Sequence, residues 1–131
     1  MSKLTTIRTA TLLLAVLATA ASTFAQGIEV KRRAMVLFGS TRSCSRPTTI
    51  DYKRAQKATP EYRTIRSEGV RKGTARYDLL AAEMTRRINA AVARVAEADN
   101  CDCVVRKGDI KDRKGLKVQD LTSDVVDELE S

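Results

Sequence analysis

Histidine and tryptophan are absent from this chain, and tyrosine and phenylalanine together number five. Without histidine there is no usual general base, no commonest metal ligand, and no Ser-His or Cys-His nucleophile pair. The scarcity of large rings argues against an aromatic-lined pocket for a small molecule. Neither a GxGxxG nor a GxxxxGKS/T phosphate loop occurs. Paired carboxylates would remain a route to catalysis, but no acid stands in a context that would raise its pKa. The expectation is a protein that is not an enzyme and has no cofactor and no metal site.

Long apolar runs are also missing. The longest, Leu12 to Ala21 (LLLAVLATAA), is broken only by Thr19 and reaches about half of the ~20 residues that a spanning helix needs. Lys3 and Arg8 precede it, and Thr23-Phe24-Ala25 follows with a small residue before Gln26. Basic start, short apolar stretch and small-residue exit make a cleavable secretory signal over residues 1–25. No twin arginine and no cysteine near the exit point to another route. The product is expected to be exported and soluble, as one small domain.

Charge is uneven along the remainder. Residues 26–58 hold eight bases and two acids, 59–98 eight bases and five acids, and 99–131 six bases and nine acids. Such a basic exported chain fits anionic partners such as lipid head groups, lipopolysaccharide or acidic polypeptide; a basic surface that serves solubility alone fits equally. Cys44, Cys101 and Cys103 are an odd number for a compartment where disulfides form. Cys44 can pair with either of the other two, which leaves one thiol.

Residues 26–47 read as irregular, although Ala34 to Phe38 would suit a short strand. Thr48 to Tyr52 reads as a strand and Lys53 to Ala58 as helix. Thr59-Pro60-Glu61 opens a helix, Gly69 to Gly73 brackets a turn, and Thr74 to Ala98 holds no helix breaker. Tyr77, Ala81, Met84, Ile88, Ala91, Val95 and Ala98 step by four and three, as do Ala55, Ala58, Tyr62, Ile65 and Gly69. That rhythm predicts an antiparallel helical hairpin with Tyr62, Ile65, Tyr77, Met84, Ile88 and Val95 in its seam. A single amphipathic helix on a sheet would give a similar pattern. Asn100 to Arg106 follows as a strand, with Cys101, Cys103 and Val105 on one face and Val104 on the other. Gly108 to Gly115 reads as a charged turn, Leu116 to Val118 as a short strand, and a last helix begins with Thr122 as its N-cap. The fold class is α+β: a small β body, a protruding antiparallel α-helical hairpin and a C-terminal helix.

Ile50-Asp51-Tyr52-Lys53-Arg54 with Thr59-Pro60-Glu61-Tyr62, then Cys103-Val104-Val105-Arg106 and Val118-Gln119-Asp120-Leu121-Thr122, resembles the Skp/OmpH family of periplasmic outer-membrane-protein chaperones. The likeness covers residues 48–131, with a body of 48–58 and 99–131 and a hairpin of 59–98 much shorter than the family's arms. It implies a periplasmic homotrimer that holds unfolded outer-membrane or envelope proteins without ATP. Ile50, Val104, Val105 and Val118 would then lie in the oligomer body, their short strands completing a sheet between subunits. Arg63, Arg66, Arg71, Lys72 and Arg76 gather near the hairpin turn, where they would attract acidic client segments or lipid head groups. A structural or adaptor protein of the envelope, with the body but no client cavity, is the alternative. Nucleic acid is not an expected partner, because export and the lack of stacking aromatics count against it.

Overall fold

A computed structural model describes residues 27–42 and 44–131. The expected signal peptide lies outside the described residues. The segment read as irregular contains two strands, β1 (Glu29–Val30) and β2 (Val36–Gly39), the second overlapping the Ala34–Phe38 stretch that suited a strand. The rest runs β3 (Thr48–Ile50), α1 (Tyr52–Lys57), α2 (Pro60–Ser67), α3 (Ala75–Ala98), β4 (Cys103–Arg106), β5 (Ile110–Asp112) and α4 (Thr122–Glu130). The fold class is α+β.

Local chemistry sets the helix ends. Asp51, Thr59 and Thr74 each accept a hydrogen bond from the backbone N–H three residues on, which satisfies an orphan donor in the first turn of α1, α2 and α3. Pro60, at the first position of α2, has no N–H to leave unpaired. Gly69 ends α2 in the left-handed region at φ 60°, and the Val70 N–H reaches back to the Ile65 carbonyl at 3.0 Å. Asn100 does the same for α3 at φ 53°, with the Cys101 N–H on the Ala96 carbonyl at 2.8 Å. Two glycines and two caps thus break what would otherwise be one helix.

β4 is the centre of a three-stranded sheet, antiparallel to β2 and parallel to β3. The backbone ahead of α4 covers the outer side of β3. There Thr49 donates to the Gln119 carbonyl at 2.9 Å and accepts from the Leu121 N–H at 2.8 Å. β1 and β5 form a separate antiparallel pair. The β2–β4 contact is close, since a Cβ at Gly39 would sit 2.1 Å from the Asp102 carbonyl oxygen.

α3 supplies most of the core. Met84, Ile88, Ala91, Val92, Val95 and Ala96 are buried in one cluster with Ile50, Ala55, Val104, Leu121 and Val125. Val92 and Ala96 widen the expected heptad line into a broad stripe, because α3 meets α2, β2 and α4 rather than a single partner helix. Each fully buried Ile or Val here contributes about 1.5–3 kcal/mol.

Three expectations are corrected by this arrangement. Ile50, Val104 and Val105 are fully buried inside one chain, because β2 completes the sheet that was expected to need other subunits. Leu116 to Val118 forms no strand; Leu116 is exposed, Val118 half-buried, and the strand falls instead at Ile110–Asp112 within the expected turn. Leu121, not Thr122, is the N-cap of α4. The Thr122 hydroxyl is otherwise engaged, accepting from the Asp51 N–H at 2.8 Å and donating to Asp120.

Candidate functional site

The five cations singled out in the sequence lie where α2 turns into α3. Glu61 on α2 pairs with Arg87 on α3, and Glu68 at the end of α2 pairs with Arg76. The two pairs run in opposite directions along the chain, so the helices are antiparallel and Gly69–Gly73 joins them. Arg66, Arg71 and Lys72 are exposed at this end, with Arg63 one helical turn back. Among the described residues none of these four has an ion-pair partner. Arg76 differs, because Glu68 already neutralises it.

The seam residues divide in two. Tyr62 and Ile65 pack on the cluster that holds Met84 and Ile88, as the hairpin reading requires. Tyr77 is half-buried nearer the turn. Val95 is different: α2 reaches only as far along α3 as Arg87, so Val95 belongs to the body. There α3 is tied to α4 through Arg94 and Glu128.

The sequence marks Glu61 only as part of a helix start and gives no signal for Arg87. Glu61 is buried in the first turn of α2, and its carboxylate accepts from the Arg87 guanidinium at 2.8–3.1 Å through both oxygens. These hydrogen bonds hold the Glu61 carboxyl below its ordinary value despite its burial. The pair fixes the angle of α2 on α3, and with it the position of the cations beyond.

The remaining low-pKa acids serve the body. Burial alone would raise Asp109, yet the Met35 N–H at 2.8 Å and Arg106 at 3.0 Å bring it below the usual range. The N–H and hydroxyl of Ser45, each at 3.0 Å, hold Asp102 low. Asp102 lies beside Cys44 and Cys103, whose ligand atoms fall within 4.8 Å. Those two cysteines are joined as a disulfide with a Cα–Cα distance of 5.6 Å, so neither offers the thiolate that a metal needs. The pairing left open by the sequence is therefore Cys44–Cys103. Cys101 is free; it precedes β4 and packs toward the helical core, rather than sharing the Cys103 face as the strand reading expected.

Cations also line the cavities of the body. One of about 500 Å³ has Lys31, Lys53, Arg106 and Lys107 in its wall, with Asp51 and Asp109. Another, of about 650 Å³, gathers Lys31, Arg32, Arg42 and Lys111, with Glu29. No described helix is long and apolar enough to cross a membrane. No family model, curated protein or solved structure matches the chain.

Proposed function

We propose that this chain is an exported, non-catalytic holdase of the periplasm that binds unfolded outer-membrane or envelope proteins without ATP. The observation that carries this reading is the group of exposed cations, Arg63, Arg66, Arg71 and Lys72, without ion-pair partners among the described residues, at one end of the α2–α3 pair. In the proposal this end protrudes as a short arm, and long flexible bases on it meet acidic stretches of a client or an anionic lipid or lipopolysaccharide surface. The succession β3, α1, α2, α3, β4 with α4 last supports it, since the Skp/OmpH resemblance implies that order; β5, between β4 and α4, is additional.

The arm is short. The eight residues of α2 span about 12 Å at 1.5 Å per residue, so clients are held against a surface rather than enclosed. That same shortness favours the second reading, an adaptor that keeps the body and binds a folded envelope partner. Trimeric assembly enters the proposal only through surfaces other than Ile50, Val104 and Val105, which are buried within one chain.

Dilution of a urea-unfolded β-barrel membrane protein into buffer, followed by light scattering, separates the two readings. A holdase lowers scattering in proportion to its concentration. An adaptor leaves the aggregation curve unchanged.

A further inference from the structure

From the open edge of β2 we infer a second client contact: an extended, acid-flanked polypeptide segment adds to the sheet there as a fourth strand. The inference rests on the holdase reading and gives it a backbone-level mode of capture.

The three-stranded sheet has two edges with different fates. The Gln119–Leu121 backbone covers β3, as described above. Beyond β2, among the described residues, no strand follows. The register shows which groups face outward. The Arg106 N–H donates to the Met35 carbonyl at 3.0 Å, one step to either side of the Val36–Val105 pair. That makes Val36–Val105 the non-hydrogen-bonded kind of antiparallel pair. Val36 therefore turns its own N–H and C=O away from β4, toward the open side. Met35 and Val36 are also among the few large apolar side chains left exposed, at 37% and 40%. An unpaired strand edge with apolar side chains is a template for another strand.

Charge selects the occupant. From Val30 to Ile50 the chain has no acid and carries Lys31, Arg32, Arg33, Arg42 and Arg46. Arg32, before β2, and Arg42, after it, line the same cavity together with Lys31; Lys111 in its wall is already paired with Glu29. A second copy pairing antiparallel on β2 would bring Arg32 and Arg33 of each chain toward Arg42 of the other, a juxtaposition of like charges. A foreign strand with acids at its ends meets the same cations favourably. The edge thus resists self-association and accepts an acidic, extended client.

The test uses the mature chain and a short synthetic peptide of alternating Val and Thr closed by Glu at both ends, with a Lys-ended counterpart. The Glu-ended peptide is expected to slow hydrogen exchange at the Val36 amide. It should also bind wild type about tenfold more tightly than Val36→Pro, with the Lys-ended peptide weaker still. Proline at this position removes only the outward donor, so the β4 ladder is spared. An unchanged Val36 amide overturns the inference, as does equal binding by Val36→Pro. Slow exchange without peptide in a chain that sizes as a dimer overturns it too, because a second copy then occupies the edge. Should Val36→Pro not fold, the exchange result on wild type decides alone. Full suppression of aggregation by Val36→Pro would defeat the inference and leave the holdase reading standing. Peptide protection of Val36 in a chain that suppresses no aggregation would do the reverse.

Discussion

Glu61 and Arg87 lie 26 residues apart in sequence and meet at 2.8 Å across the α2–α3 junction, one nearly buried and the other half-exposed. Their hydrogen bonds replace the water that Glu61 loses on folding. Glu61→Gln keeps the shape and removes the charge. It should cost about 1–2 kcal/mol near neutral pH, a charge-assisted bond discounted for the exposed partner, read as a lower urea midpoint.

Acid should show the same link. The folded Glu61 carboxyl lies below its ordinary value of 4.5, chiefly through the Arg87 hydrogen bonds. Its contribution is therefore complete above about pH 4.5 and is lost as pH falls through the depressed folded value. Asp109, Asp102 and Asp120 are lowered as well and add to the loss. In urea titrations across this range, wild type and Glu61→Gln should converge as the acid titrates. A constant gap between them would show that the carboxylate charge is not what holds α2.

Core and tip should separate cleanly. Ile88 is fully buried in the core cluster, so Ile88→Ala should cost about 2–5 kcal/mol. Ile88→Asp should abolish the helical circular dichroism signal, because it buries an unpaired charge. Arg71→Glu with Lys72→Glu should leave that signal within error, since both positions are exposed.

Cys44 and Cys103 close a span of 59 residues, and the chain-entropy argument gives about 4 kcal/mol for a loop of that length. Reduction should lower the melting temperature markedly. Cys101→Ser should leave both the disulfide and the melting temperature close to wild type, which mass spectrometry and calorimetry would check.

Much of the helical part was legible, because its signals are local. Thr59-Pro60 and Thr74 announce caps, Gly69 and Gly73 a turn, and Met84, Ile88, Ala91 and Val95 a buried face. The body was less so. β2 has no clean alternation: Leu37 and Phe38, adjacent in sequence, both pack toward the core across a register shift. β5 holds one apolar residue, Ile110, and relies on β1 and on the Lys111–Glu29 pair. Ala34 to Phe38 suited a strand, but nothing local showed that it pairs with β4, so the resemblance placed Val104 and Val105 at an interface, whereas the chain covers them itself. Within the candidate site the exposed bases could be counted from sequence, but Glu61–Arg87 could not, since it depends on the register of two helices.

Export is part of the proposal and has its own check. Protein recovered from the envelope should begin at or near Gln26, because Ala25 supplies the small residue before cleavage. Soluble cellular protein that retains Met1 would contradict it.

The most direct measurement is the affinity of the mature chain for a urea-unfolded outer-membrane protein, read by fluorescence anisotropy over a range of salt. The account predicts binding that weakens with salt and falls by about tenfold in Arg71→Glu with Lys72→Glu. Equal affinity of that variant and wild type, or no binding by either, would contradict the claim that this end of the α2–α3 pair holds clients.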